Sequence, residues 1–439
     1  MTDTRITGIR GRRVWDSRGN PTVEAEVLLA NGARGRAIAP AGASRGMREA
    51  LDLRDEGTAL RGKGVGKAVA NVNGVIASAL LGKDGADQTG VDAVLRALDP
   101  SALKATLGGN AMVAVSLAAL HAAAAAAQVP LWRHIADYYG RTPSIPLPEI
   151  QIFGGGAHAG RRVDVQDFMV MVPGARDFDE VMEITNEVYF AAGDLMRRKG
   201  QLGGVADEGG WWPNFSSNEE ALEVLCEAIR LAGEKPGDRV VISLDVAASE
   251  FGRNGRYRLA LEDRELDSAG MIDQLGRWLD AYPIVSIEDP LAEDDPAGMA
   301  AFTARFGDRV QIIGDDYLVT NAALVRAAAA EGACNAVLIK VNQAGTVSEA
   351  VEALMAADAA GFRPVVSARS GESEDVSISH LAVGLGAGQL KVGSLTRSER
   401  LAKWNECIRI QEEAGSGDFV AGLPLQNTWW ARQQERNKA

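Results

Sequence analysis

At 439 residues the chain is too long for one hydrophobic core, so two domains are expected, one of them large enough to be a barrel. Hydrophobic residues make up 46% and charged residues 24%, the balance of an ordinary globular chain and not of a disordered or fibrous one. A formal net charge of −13 argues against non-specific binding to nucleic acid or to an anionic membrane surface.

The opening segment, "MTDTRITGIRGRR", lacks the apolar stretch of a signal peptide. No apolar run approaches the roughly 20 residues of a membrane span. Cys226, Cys334 and Cys407 are odd in number, far apart and outside any CxxC, and read as reduced thiols of a cytoplasmic protein. The first forty residues alternate as strands do, with Asn31-Gly32 as a hairpin turn between "TVEAEVLL" and "ARGRAIAP". From Val65 to Gly140 the pattern is helical, and the alanine run after His121 continues an apolar helix that must pack closely. His121 and His134 read as packing or surface residues. "RTPSIPLPEI", with three prolines, is the expected linker, dividing the chain into domains 1–140 and 141–439.

Beyond Asn214 short apolar runs alternate with helix-like segments. "VVISL", "IVSI", "VQIIG", "AVLI", "RPVV" and "GQL" are followed by Asp245, Glu288, Asp315, Lys340, Ser367-Ala368-Arg369 and Lys391, at intervals of 24 to 43 residues. Continuous apolar runs fit strands buried on both faces, and the rhythm fits the βα units of a parallel barrel. A charge after each strand is costly if buried alone. At the C-terminal mouth of a barrel, however, all six converge where such folds keep their chemistry. Three converging carboxylates repel one another and call for a hard cation such as Mg²⁺. A lysine beside that cation has its ammonium form disfavoured and can serve as a general base. Metal and base together suit removal of a proton alpha to a carboxylate.

"VWDSRGNPTVEAEV" (14–27), "PAGAS" (40–44), "GGGAHAG" (154–160), "ADEGG" (206–210), "SIEDP" (286–290), "GDDYLVTN" (314–321), "IKVNQAGT" (339–346) and "RSERLAKWN" (397–405) occur in this order. On these motifs the chain resembles the enolase family from about Ile6 to about Asn427. The resemblance implies an α/β fold, an enolase-type modified (β/α)8 TIM barrel with a smaller α+β N-terminal domain. It implies Asp245, Glu288 and Asp315 as ligands of a tightly held Mg²⁺, and Ser44, on a loop that closes over the substrate, as a ligand of a second Mg²⁺. Lys340 would be the base. Lys391 would hold the substrate carboxylate, Glu208 would assist departure of the hydroxyl with Asp167 as its partner, and His158 would reach the substrate. Arg369 and Ser370 would hold the phosphate, beside Ala368, while Gln166 precedes Asp167 at the site. The family also implies a small anionic phosphate- or phosphonate-bearing substrate and a homodimer or dimer-built octamer.

The departures from the family lie in the site. Enolases carry histidine where this chain has Ala368, and glutamate where it has Asp167. "AGASR" introduces Arg45, the loop after His158 gains Arg161 and Arg162, and Trp211 and Trp212 follow the Glu208 loop. Loss of a histidine opens room beside the phosphate, and arginine forks suit carboxylates and phosphonates. The arginine pair reads equally as solvated loop charge, whereas drift at Asp167 would misplace a catalytic carboxylate by more than catalysis usually forgives. The sum fits a relative such as carboxyphosphonoenolpyruvate synthase of phosphinothricin-type antibiotic biosynthesis. A divergent housekeeping enolase is the alternative. A non-catalytic relative is disfavoured, because a retired site has no reason to keep the metal carboxylates, the lysines and Glu208.

Overall fold

The computed structural model describes residues 3–414 and 418–438. Strands β1 (Ile6–Trp15), β2 (Pro21–Leu29) and β3 (Arg34–Ile38) form an antiparallel sheet in the order β1-β2-β3. The β2–β3 turn falls on Asn31-Gly32: Gly32 has a φ of +87°, which glycine adopts freely, and the Asn31 side chain accepts from the Ala33 amide at 3.0 Å. The helix Gly109–Ala127 lies on this sheet. A Cβ at Gly35 would stand only 2.1 Å from the Ala118 carbonyl oxygen, so strand and helix meet backbone to backbone. The alanines of this helix are what such an approach demands. Over 19 residues, with a mean hydropathy of 1.6, the helix is long and apolar enough to cross a membrane, contrary to the sequence expectation. It is 78% buried within the protein and serves as a core element.

A polar knot joins this region to the barrel. Asp92, fully buried, accepts from Ser116 Oγ (2.6 Å), from Gln88 Nε2 (3.1 Å), and from the Ser348 amide and hydroxyl (2.9 and 2.7 Å). Ser348 belongs to the barrel helix Val347–Ala360.

Strands β4 (Leu147–Gly154), β5 (Asp167–Met171) and β6 (Val241–Asp245) open the barrel. A small meander follows, β7 (Gly252–Arg253), β8 (Arg256–Leu259) and β9 (Arg264–Asp267). Strands β10 (Ile284–Glu288), β11 (Gln311–Gly314), β12 (Ala336–Ile339), β13 (Arg363–Ser367) and β14 (Gln389–Gly393) complete a closed eight-stranded barrel. Every pair is parallel except β4–β5 and β5–β6, so the opening units depart from βα alternation as the family resemblance implied. The proposed linker needs correction. Its second half, Leu147–Ile150, is the start of β4, and Pro148 sits opposite Leu390 in the ladder.

Alternate residues of each strand face inward, which stacks the barrel interior in layers. At the bottom Leu147, Met171, Val241 and Val285 pack with Leu425 and Trp430 of the C-terminal segment. Two residues up, the layer is polar: Glu149 accepts from Ser243 Oγ (2.9 Å) and Gln389 Nε2 (2.9 Å), and Gln389 and Gln311 bond to each other. Two residues further, the same strands present Asp245, Glu288 and Lys391.

Because Asp92 is the shared acceptor of the interdomain knot, Asp92→Ala should deprive four donor groups, on Ser116, Gln88 and Ser348, of that acceptor in a dry site. The loss should be about 2–4 kcal/mol in urea unfolding. An unchanged midpoint would show that the knot holds nothing.

Candidate active site

Lys391 reaches across the mouth, its Nζ 2.6 Å from Asp245 Oδ2, 2.7 Å from Glu288 Oε2 and 3.6 Å from Asp167 Oδ2. On the other arc Lys340 Nζ is bonded to Asp315 Oδ2. Burial disfavours both ammonium groups, but the carboxylates more than compensate and hold both lysines above their ordinary range. Asp315, the partner of Lys340, is the group that most favours its ammonium form.

Two further acids, missed in the sequence, complete the cluster. Asp289 accepts from the Asp315 amide (2.9 Å) and the Asp316 amide (2.7 Å), fixing the turn that presents Asp315. Asp289, Asp315 and Asp316 each offer an oxygen within 4.8 Å of the others. Burial and then the neighbouring Asp315 push Asp289 and Asp316 well above the usual carboxylate range; burial and then Asp245 do the same to Glu288. Both acids sit beside residues already singled out, in "EDP" and "GDDY", and only their adjacency could have flagged them.

The donor set suits a hard divalent ion. Asp245, Glu288 and Asp315 offer only oxygen, and Glu288 Oε1 is buried without a hydrogen-bond partner. A divalent cation there would supply positive charge to stabilise an enolate and to relieve carboxylates now paired with two lysines.

A second group gathers His158, Asp167 and Glu208, again with one atom of each within 4.8 Å of the others. Burial raises Asp167 to about 6. Glu208, also buried, is nevertheless held below its ordinary value by His158, Arg400 and the two lysines. Gln151 couples the pair, donating to Asp167 and accepting from the Gly210 amide at 2.8 Å. Gln166 Nε2 donates to Asp245 Oδ2 at 3.0 Å.

The segment Ser367–Ser370 lines the cavity along with Gly42, Ala43, Ser44 and the two lysines. Fully buried Arg400 fixes its backbone, donating to the carbonyls of Arg369 (2.6 Å) and Val392 (2.8 Å) and to that of Ser370. The Arg369 guanidinium is engaged by Glu49 at 2.8 and 3.2 Å, by Asn342 Oδ1 at 3.1 Å and by the Ser44 carbonyl at 3.0 Å. Ser370 Oγ is buried without a partner. Ala368 presents only a methyl to the cavity. The space there is about 20 Å³, room for about one water.

The added arginines are not brought into this cavity. Arg45 donates to the Ala50 carbonyl at 2.9 Å, Arg161 pairs with Glu250 at 2.8 Å while largely exposed, and Arg162 is exposed. Trp211 stacks on Tyr189, with ring centroids 4.6 Å apart, and buttresses the Glu208 loop from behind.

Comparison with known families agrees with this geometry. The description "Enolase, C-terminal TIM barrel domain" matches residues 142–428, and "Enolase, N-terminal domain" matches residues 6–135. Barrel, capping sheet and acidic mouth coincide with these two matches, and the chain belongs to the enolase family of lyases.

Proposed function

We propose that the protein is a Mg²⁺-dependent lyase acting on a 2-phosphoglycerate-like substrate enlarged at phosphorus, a phosphonate or phosphinate of the carboxyphosphonoenolpyruvate type. It would abstract the proton alpha to the substrate carboxylate and expel the beta-hydroxyl. The observation that carries the reading is Ala368: it lines the cavity between Ser367 and Arg369 where family members carry a histidine, while Arg369 and Ser370 are kept. The methyl removes one phosphate donor and leaves space for a substituent on phosphorus.

The geometry supports the following roles. Lys340 takes the alpha proton once Asp315 no longer binds its ammonium. Lys391 holds the substrate carboxylate, and Arg369, released by Glu49, pairs with the phosphorus oxygens through its planar fork. Asp167 and Glu208 are pushed apart in acidity, the pattern expected of groups that exchange a proton. Asp167 is the better proton holder, Glu208 the ionised partner, and His158 lies between them to help the hydroxyl leave. Ser44 closes the site from its loop. A second reading, ordinary dehydration of 2-phosphoglycerate, is favoured by one observation: Arg45 and Arg161 are engaged outside the cavity.

Chelation with EDTA should abolish turnover and Mg²⁺ should restore it, while Asp245→Ala, Glu288→Ala and Asp315→Ala should each resist rescue; full turnover in EDTA would refute the metal assignment. Lys340→Ala should stop exchange of the alpha proton with solvent deuterium while leaving Mg²⁺ binding in place, and surviving exchange would give the base to another residue. Loss of one charge-assisted hydrogen bond costs about 1.5–3 kcal/mol, so 2-phosphoglycerate should be a poor substrate. Ala368→His with Asp167→Glu should then raise kcat/KM for 2-phosphoglycerate by about tenfold or more. Turnover of 2-phosphoglycerate by the unaltered protein at ordinary enolase rates would favour the second reading.

A further inference from the structure

Directly behind the active site is a second cavity, of about 250 Å³, walled by both domains. Three arginines from separate elements border it: Arg48 from the loop carrying Ser44 and Glu49, Arg96 from the helix Gln88–Leu98, and Arg326 from the barrel helix Ala322–Glu331. Two acids border it as well, and the charges do not cancel. Glu349 is engaged by Lys104 at 3.0 Å and by Arg96 at 3.6 Å, and Glu352 by Arg96 at 2.9 Å. Arg48 and Arg326 form no ion pair among the described residues; the only hydrogen bond recorded for the Arg48 guanidinium, at 2.7 Å, goes to the neutral Tyr317 carbonyl. Among the described residues, two guanidinium groups without an ion-pair partner thus line one cavity in a chain whose net charge is −13.

Thr320 and Gln343 are among the residues that line this cavity. Thr320 Oγ1 donates to Gln343 Oε1 at 2.6 Å. On its other side Gln343 Nε2 donates to Asp315 Oδ1 at 2.8 Å and to Glu49 Oε1 at 3.3 Å. Glu49 is the acid that engages Arg369, and it is the residue after Arg48. Whatever draws on Arg48 or shifts Gln343 therefore acts on the group that keeps Arg369 from an incoming anion.

The geometry points to this cavity as a binding site for a small polyanion, one carrying two neighbouring phosphate or carboxylate groups, whose occupancy biases the Gly42–Glu49 loop. A volume of this size holds several waters and suits two such groups. Arg48 and Arg326 supply the forks that bind either group in bidentate fashion. This assignment is independent of the substrate proposed above, since it uses none of the residues that distinguish the two substrate readings.

The test uses the Mg²⁺-loaded full-length protein with inorganic phosphate and, separately, tricarballylate as probes, followed by calorimetry. The expected result is saturable binding of at least one probe that weakens about tenfold or more in Arg326→Ala and in Arg48→Ala and persists in Arg369→Ala. The preferred probe distinguishes phosphate from carboxylate. Arg326→Ala, an exposed substitution, should leave probe-free turnover unchanged, and probe binding should alter hydrogen exchange of the Gly42–Met47 amides only in proteins that retain Arg326. Binding lost only in Arg369→Ala would place the anion in the active site and overturn the assignment. So would binding unaffected by Arg326→Ala, or no binding of either probe.

Discussion

Seven buried carboxylates, Asp167, Glu208, Asp245, Glu288, Asp289, Asp315 and Asp316, crowd one end of the barrel, and the structure around them is arranged to make that density bearable. Placing charge out of water is costly unless it is paired and hydrogen-bonded. Lys391 spans three of the acids and Lys340 a fourth. Asp289 is satisfied by two backbone amides instead of a cation. Beneath them Glu149, Ser243, Gln389 and Gln311 continue a hydrogen-bonded layer into the barrel, so the floor of the site is polar and fixed. Burial, and after it repulsion from neighbouring carboxylates, holds Glu288, Asp289 and Asp316 above the ordinary range.

Opposite the acids, the segment 367–370, proposed to bind the anion, is held from behind and covered from the front. Arg400 and Lys403 of the helix Ser398–Ala414 bond the carbonyls of residues 369–373, which fixes where Arg369 and Ser370 point. Glu49 occupies the Arg369 fork from the loop in front. Gly42 has to be a glycine, because a Cβ there would lie 2.0 Å from Arg369 Nη2. On the proposed reading, a substrate anion would compete with Glu49 for the Arg369 guanidinium.

The six barrel strands after Asn214 and their charged ends were legible because a buried parallel strand needs an unbroken apolar run, and a charge just beyond it marks the mouth. Strands β4 and β5 were less legible. β4 starts on two residues flanking a proline and carries Glu149 and Gln151, which serve the interior network and break the apolar pattern. The helix Gly109–Ala127 was read correctly as closely packed but underrated in apolar length, since small alanines conceal its hydropathy. Arg400, Glu49 and Asp289 escaped notice for a common reason: each acts on a residue far away in sequence, or on backbone amides, and no local pattern announces such a contact. Ala368 was conspicuous only by comparison with the family. Conversely, Arg45 and Arg161 looked like substrate ligands in sequence but have nearer partners in the fold.

On the reading proposed above the acidic mouth takes a divalent cation, and burial and then like charge favour the protonated forms of Glu288, Asp289 and Asp316 until one binds. Titration of Mg²⁺ into metal-stripped protein, in buffers of different ionisation enthalpy, tests it directly. Acids with raised pKa values release protons when a cation takes their place, so binding should be saturable, accompanied by net proton release, and tighter at about pH 8 than at about pH 6. Absence of saturable binding at millimolar Mg²⁺, or affinity that falls as pH rises, would contradict the account.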